Sequence, residues 1–200
     1  MDTKALFNIG YGLYVLTVKN GNTDNGCIIN TVMQVTSSPC KIAVCVSKIN
    51  YTNELIKTTK EFNISVLTKE SKFETYKHFG YQSGKDTDKF KDFDEVKRSE
   101  NGLLYLTKDT NAYISVKVEQ EIELGTHTMF IGEVTDAKAL SDKPTVTYDY
   151  YQNEIKPKPQ ATKKSGWRCK ICGYIYEGEE LPEDFICPLC KHGIVDFEKI

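Results

Sequence analysis

The sequence lacks the features that would direct it to a membrane or to nucleic acid. Its net charge is only -2, so no strong electrostatic attraction to a phosphate backbone is expected. No run approaches the roughly 18 apolar residues of a membrane-spanning helix, and the opening MDTKALFNIGYG has no signal-peptide pattern. We therefore expect a cytoplasmic protein that has neither nucleic acid nor a membrane as a partner.

The common nucleotide-binding motifs are also missing. No P-loop occurs, and the G-x-G formed by Gly10 and Gly12 is not completed, because Val15 stands where the third glycine is needed. The surrounding residues have the composition of a strand instead of a strand-to-helix turn. A nicotinamide donor, if one is used, is therefore not bound in a Rossmann fold.

Cysteine is present but unevenly distributed. Of the 7 cysteines, four are crowded near the C-terminus: Cys169, Cys172, Cys187 and Cys190. In a reducing compartment this clustering favours a metal site over disulfides. Cys27 and Cys40 are interpreted as structural.

The composition changes near residue 152. Residues 152–165, QNEIKPKPQATKKS, contain two prolines and four lysines but no aromatic residue, which is typical of a flexible linker. We expect a large domain over 1–151, the linker over 152–165 and a small domain over 166–200. The small domain has four basic and seven acidic residues, so its charge is -3 before any metal is bound.

The large domain is rich in segments of Val, Ile, Thr and Tyr, which predict β-strands. These segments are residues 12–18, 27–36, 41–46, 62–67, 112–124 and 129–140, and short helices are expected near 2–9, 51–61 and 71–79. Because strands do not alternate regularly with helices, the pattern favours a mainly β fold built on an antiparallel barrel.

The four clustered cysteines have the spacing C-x2-C, fourteen residues, C-x2-C. Each pair can bind one side of a tetrahedral ion, and four thiolates suit zinc as well as iron. Gly173 and Pro188 permit tight turns around the ligands. We expect a compact aromatic core from Trp167, Tyr174, Tyr176, Phe185 and Phe197. A unit of this size can hardly fold without its metal. From the ligands alone, a structural zinc ribbon remains an alternative to a redox-active iron site.

The residues around the ligands resemble rubredoxin. W-x-C-x-x-C-G-Y-x-Y is followed by D-F-x-C-P-x-C and D-F-E, and the resemblance covers residues 166–200. The loop between the pairs is shorter than in free-standing rubredoxins and is similar to the form appended to larger redox proteins such as rubrerythrin. Lys191 replaces a glycine, and His192 is interpreted as a solvated surface residue. The resemblance implies one iron bound by Cys169, Cys172, Cys187 and Cys190.

A strand-to-helix junction follows the apolar segment KIAVCV. Ser47, Lys48, Asn50 and Thr52 lie there, just before residues with helical spacing. A helix N-terminus offers unpaired N–H groups and a positive dipole end to a phosphate, and Lys48 adds charge. An ordinary N-cap by Asn50 or Thr52 is the alternative.

The large domain resembles the flavin reductase family, which has an FMN-binding split barrel. The resemblance covers roughly residues 1–155, is closest to the ferric reductase and flavoredoxin branch, and rests on NTVMQVTSSPCKIAVCVSKINYTNELI, GTHTMFIGEV and TYDYY. With the C-terminal domain, the whole chain is similar to the high-molecular-weight rubredoxins. Those are NAD(P)H-linked flavoproteins that supply electrons to flavodiiron proteins in anaerobes.

This resemblance implies a homodimer that binds FMN near the subunit interface, and it implies a set of site residues. They are Asn30 and Thr31 against the isoalloxazine ring, Cys45 and His127 near its reactive face, Ser47, Lys48, Asn50, Tyr51 and Thr52 around the phosphate, and Tyr148 and Tyr151 covering the flavin from the partner subunit. From their sequence context, Cys45 is equally compatible with a small core residue and His127 with the surface of a turn.

The expected activity is electron transfer from NAD(P)H through FMN to iron, and then to a flavodiiron-type acceptor. One alternative is a free-flavin or ferric reductase with an accessory tail. Another is a non-catalytic split barrel that carries a structural zinc ribbon.

Overall fold

A seven-stranded antiparallel sheet forms most of the large domain, as the strand-rich pattern predicts. The computed structural model describes residues 3–157, 166–189 and 192–200. The strands of the large domain are β1 (Tyr14–Asn20), β2 (Thr23–Ile29), β3 (Val32–Ser37), β4 (Cys40–Ser47), β5 (Glu61–Leu67), β6 (Val96–Arg98), β7 (Leu104–Leu106), β8 (Thr110–Leu124) and β9 (His127–Ala139). The order across the sheet is β2-β1-β5-β8-β9-β4-β3, and β6 and β7 form a separate pair.

The predicted strand over 27–36 is two strands in the structure. β2 ends at Ile29 and β3 begins at Val32, so Asn30 and Thr31 lie between them. β2 pairs with β1 at one edge of the sheet, and β3 pairs with β4 at the opposite edge. The chain therefore has to cross from one edge to the other between β2 and β3, and the strand is interrupted there. The composition of residues 27–36 carries no signal for that break.

The predicted helices are present at 51–61 and 71–79, and near 2–9 the chain forms a 3₁₀-helix. They are α1 (Tyr51–Thr59), α2 (Phe73–Gly80) and the 3₁₀-helix Thr3–Asn8. A further helix, α3 (Tyr148–Tyr150), continues into a π-helical segment (Tyr151–Ile155). Residues 152–155, which we expected to open the linker, are therefore helical. Tyr151 is buried and Ile155 packs against the same apolar cluster, which explains why the helix extends this far.

Two apolar clusters fill the large domain. The first lies inside the sheet and is closed by Leu55 and Ile56 of α1, which packs against β1, β2 and β4. The second joins Leu13 and Val15 to the aromatic residues Tyr76 and Phe79 of α2 and to Tyr151. The second cluster thus attaches both α2 and the π-helical segment to the barrel.

The small domain has a three-stranded sheet of order β11-β10-β12, from β10 (Trp167–Cys169), β11 (Ile175–Tyr176) and β12 (Phe197–Lys199), and a 3₁₀-helix (Ile194–Asp196). Cys169, Cys187 and Phe197 are buried at its centre, with Trp167 and Phe185 packed around them. The expected aromatic core is thus confirmed. In the described part of the chain, no helix has the length and apolar character needed to cross a membrane.

Candidate functional site

The register between β4 and β9 brings three predicted site residues together. Cys45 and Ser47 are two residues apart on β4, so their side chains share one face. Ser47 pairs directly with His127 of β9. All three line a cavity of about 230 Å³, together with Asn30 from the connection between β2 and β3.

The walls of this cavity suit a flat aromatic ring system. Apolar side chains from β2 and from Leu13, just before β1, form one part of the lining, and tyrosines form another. The apolar and aromatic members are Leu13, Ile28, Ile29, Ile49, Tyr76, Tyr81, Tyr148, Tyr151 and, from the small domain, Ile171. Asn30, Ser47 and Asn50 place a few polar groups among them, which is the usual composition of a cofactor pocket.

Tyr148 and Tyr151 line the cavity of their own chain. A bridge between Gly12 and Thr147 and a hydrogen bond from Tyr148 N to Tyr11 O, 2.8 Å, bring this segment back to the start of β1. The resemblance implied that these tyrosines would cover the flavin from a partner subunit. In the structure they already share a cavity with Asn30 and Cys45 without a second chain.

A second, smaller and more polar cavity adjoins the first, since Ile49, Asn50 and Gly80 line both. It lies at the start of α1, where Asn50 is the N-cap and its side chain makes no capping hydrogen bond. Tyr51 and Thr52, which the resemblance placed around the phosphate, line this cavity. Unpaired N–H groups in the first turn of a helix favour an anion.

Sequence reasoning missed one wall of this polar cavity. That wall comes from the segment after α2 and from β2, and comprises Asn25, Gln82, Ser83, Gly84 and Lys89. A Cβ at Gly84 would clash with the Asn25 side-chain amide, so glycine keeps this wall open. The only sequence signal was the run of small and polar residues Gln82-Ser83-Gly84 directly after a helix.

Lys89 supplies the cation of the polar cavity. It is 3% exposed, and its ammonium donates hydrogen bonds to Gly26 O at 2.8 Å and to Phe79 O at 2.9 Å. Burial lowers its pKa, because the charged form is penalised away from water. An ammonium has three N–H donors, so one remains for an anion in the cavity.

Lys48, which we predicted to be near the phosphate, does not line either cavity. Its ammonium pairs with Glu123 at 2.5 Å on the protein surface.

Thr31 also lies elsewhere than expected. Its hydroxyl donates to Cys45 O at 2.8 Å and accepts from Cys45 N at 3.2 Å. Thr31 therefore holds the backbone of β4 at Cys45 and does not line the larger cavity.

The two candidate reactive groups are both uncharged at neutral pH. Burial raises the pKa of the Cys45 thiol, which keeps it protonated. Desolvation and the nearby His192 both lower the pKa of His127, which favours the neutral ring. The Nδ1 atom of His127 lies 2.9 Å from the Thr126 hydroxyl. Neither residue therefore brings a charge to the cavity.

The pair of cavities fits a flavin mononucleotide. The larger cavity has the aromatic and apolar walls that a planar ring needs, and the adjoining polar one offers a buried lysine and a helix N-terminus to a phosphate. Asn25 donates to the Thr52 hydroxyl at 2.9 Å, which links the two walls of the polar cavity.

Three of the four predicted metal ligands converge in the small domain. The sulfur atoms of Cys169, Cys172 and Cys187 all lie within 4.8 Å of one another, and Cys172 Sγ lies 3.4 Å from Cys187 Sγ. Sulfurs about 2.3 Å from one ion would lie about 3.8 Å apart at the corners of a tetrahedron. The observed spacing thus fits a thiolate-bound metal. Cys190, the fourth predicted ligand, lies outside the described residues.

The two cysteine loops have matching backbone geometry. Cys169 N donates to Tyr174 O and Cys187 N donates to His192 O, each over five residues and each at 2.8 Å. Gly173, at φ +78°, accepts the left-handed conformation that closes the first loop, and its N–H donates to Cys169 O at 2.8 Å. Two loops that share this hydrogen bond suit a pair of ligand loops around one small ion.

Comparison with known proteins matches both parts of the chain. The family described as flavin reductase like domain matches residues 6–158. The chain belongs to this family. Residues 167–198 match the family described as rubrerythrin, rubredoxin-like domain.

Two relatives of this flavin reductase-like chain are similar over most of their length. High molecular weight rubredoxin of Moorella thermoacetica is 39% identical and aligns over 100% of both chains. The ferric-chelate reductase (NAD(P)H) of Archaeoglobus fulgidus is also 39% identical and covers 81% of this chain and 95% of its own length.

Solved structures support the fold. The NADH:FAD oxidoreductase of Streptomyces globisporus, in complex with NAD and FAD fragments, aligns with a TM-score of 0.65 at 23% identity. It covers 79% of this chain and 92% of that one. An FMN-binding protein from Thermus thermophilus aligns with a TM-score of 0.61 at 19% identity, covering 66% and 72%. At these identities the similarity concerns the split-barrel fold alone, which confirms the predicted fold class.

Proposed function

We propose that this chain is an NAD(P)H-dependent electron-transfer flavoprotein. It would pass electrons through FMN to a rubredoxin-type iron and then to a protein acceptor such as a flavodiiron O2 or NO reductase. One observation carries the proposal: Ile171 and His192 of the metal domain line the same cavity as Asn30 and Cys45 of the barrel. A flavin in that cavity would therefore lie beside the metal-binding loops.

The barrel residues would bind and orient the flavin. A bound FMN would supply the capacity to accept a hydride from NAD(P)H and to release the two electrons one at a time. Asn30 and Ser47 would hydrogen-bond the ring edge, and Asn50, Tyr51, Thr52 and Lys89 would hold the phosphate. Cys45 and His127 would stand at the reactive face as neutral groups, so that they favour neither a positive nor a negative charge there.

The four cysteines would bind the iron with no open coordination position, which suits electron transfer rather than substrate binding. The iron held by these cysteines would supply one-electron chemistry between its ferric and ferrous states. Because a hydride carries two electrons, the protein acceptor would have to take them from the iron one at a time. The charge of -3 on residues 166–200 would favour an acceptor with a basic surface.

We also propose the domain boundaries and a homodimer. The flavin domain would span 1–151, with helical residues to 155 packed on it, and the metal domain 166–200. Residues 158–165 of the proposed linker lie outside the described residues.

The homodimer is proposed from the exposed apolar edge of the sheet. β3 is an edge strand with exposed apolar side chains at Met33 and Val35, and Ile122 and Leu124 of β8 are also exposed in the same sheet. An exposed edge strand is a template for pairing with another chain, and its apolar side chains favour burial, so we propose that a second copy covers it.

A ferric or free-flavin reductase is the second candidate. The relative from Archaeoglobus fulgidus, a ferric-chelate reductase (NAD(P)H), aligns over 95% of its own length with this chain. In that case the flavin domain would reduce a small acceptor directly, and the metal domain would be accessory.

Anaerobic stopped-flow with NADH and NADPH separates the two candidates. The flavin and iron absorption bands are followed together, in the intact chain and in a chain ending at Pro157. Electron transfer predicts that the flavin band bleaches first and the iron band second, and that only the intact chain reduces a flavodiiron-type acceptor. Equal reduction of the protein acceptor by the shortened chain would favour the reductase instead.

A further inference from the structure

The two cysteine loops of the metal domain both face the flavin domain. Ile171 stands third in Cys169–Cys172, and Leu189 stands third in the second C-x-x-C, so the two occupy matching positions. Ile171 lines the larger cavity and Leu189 lines the polar one. His192, two residues after the second C-x-x-C, also lines the larger cavity. The metal end of the small domain is thus the end that meets the barrel.

Two side chains of the flavin domain hold the backbone of the first loop. Tyr81 donates from its hydroxyl to Ile171 O at 3.3 Å. Lys156 donates from its ammonium to Lys170 O at 3.0 Å. These acceptors are the carbonyls of consecutive residues between two metal ligands, so the contacts act on the loop that carries the cysteines.

Both donors are themselves fixed in place by the flavin domain. The Tyr81 hydroxyl lies 3.1 Å from the Tyr151 hydroxyl, and the Tyr81 ring packs edge-on against Phe73 at 5.7 Å. Lys156 N donates to Tyr151 O at 2.8 Å at the end of the π-helical segment. Tyr151 therefore connects both donors to the cavity wall, and the donors are preorganised for the loop.

We infer that Tyr81 and Lys156 are positioning residues that dock the metal site of this chain against its own flavin cavity. The inference rests on the proposed function, in which one electron passes from the flavin to the ferric ion each time the domain is docked. Electron transfer slows steeply as the separation grows, so the residues that hold the loop against the cavity set the rate of the internal step. Neither residue needs to touch the reacting atoms.

The test uses the full chain carrying Tyr81→Phe, Lys156→Met or both. The single tryptophan of the chain, Trp167, lies in the metal domain and reports docking, because a nearby flavin quenches its fluorescence. The fluorescence lifetime is measured with FMN bound and with zinc in place of iron, so that no electron transfer is involved. Each hydrogen bond removed should lower the docking constant roughly three- to tenfold, and the double variant should lengthen the Trp167 lifetime most.

A kinetic readout follows the iron band after flavin reduction, at equal flavin occupancy, and should slow in the same order. Tyr105→Phe and Lys143→Met are matched controls, since Tyr105 stacks on Tyr113 and Lys143 pairs with Glu70, away from the metal domain. Unchanged Trp167 lifetimes together with an unchanged iron phase in the double variant would overturn the inference. An intact chain whose iron stays oxidised while its flavin is reduced would instead contradict the proposed function, and the lifetimes would still test the docking.

Discussion

Binding of the FMN phosphate should depend on Lys89 and not on Lys48. Lys89 is buried at the polar cavity and has one N–H donor left after its bonds to Gly26 O and Phe79 O. Lys48 is nearer in sequence to the helix start, but its ammonium pairs with Glu123. We therefore predict that Lys89→Met weakens FMN binding much more than riboflavin binding, because riboflavin has no phosphate.

The magnitude follows from the kind of contact removed. A hydrogen bond to a charged group contributes about 1.5–3 kcal/mol, which corresponds to roughly 10- to 150-fold in the dissociation constant. Removing Lys89 also takes one donor from each of two backbone carbonyls, at a cost of about 0.5–1.5 kcal/mol per bond in folding stability. That second effect disturbs both ligands alike, so the ratio of the FMN to the riboflavin dissociation constant isolates the phosphate contact.

Flavin fluorescence quenching measures both constants on the same protein. Lys48→Met is the matched control and should leave the ratio within about twofold, as expected for a solvent-exposed pair of little energetic weight. If Lys89→Met weakens both flavins by the same factor, the lysine only supports the fold. If Lys48→Met changes the ratio instead, the phosphate lies on the other side of the helix start.

Three further predictions concern the metal, acid stability and the domain boundary. Cys187 is fully buried, and Cys187→Ser should abolish the visible iron absorption while FMN stays bound, whereas Cys40→Ser should change neither spectrum. Hydrogen bonds from Lys48 and Lys57 lower the pKa of Glu123 to about 2 from 4.5; since the folded pKa is the lower one, its contribution is present above pH 4.5 and is lost as the pH falls towards 2. Glu123→Gln should therefore slightly reduce the pH dependence of the urea midpoint over this range, and an unchanged profile would show that these exposed ion pairs contribute nothing measurable. A chain ending at Pro157 should fold and retain FMN, but one ending at Val146 should lose both properties by circular dichroism and flavin titration, because it lacks the buried Tyr151.

The strands were predictable because each carries a local pattern of residues. β4 and β5 are short runs of apolar and β-branched residues, and both begin and end within one residue of the predicted bounds. The break at Asn30 and Thr31 was not predictable in this way, since it depends on the order of strands in the sheet. The helical residues 152–155 were missed for a related reason, because they are stabilised by packing on α2 and β1 and not by their own composition.

The candidate site shows the same division between local and long-range information. Ser47 and Asn50 could be named from the end of one strand and the turn after it, and the C-x-x-C spacing identified the metal loops. Cys45 was named only from the resemblance to the flavin reductase family. Lys48 and Lys89 differ in a property that the sequence does not contain, namely which of two lysines 41 positions apart lines the polar cavity. An exposed glutamate at the end of β8 holds the first, and carbonyls of β2 and α2 hold the second. Charge near a helix start in sequence is therefore weak evidence for a phosphate contact until the neighbouring strands are known. Docking of the metal loop depends on the same kind of information, since Tyr81 and Ile171 are 90 residues apart and meet only after both domains have folded.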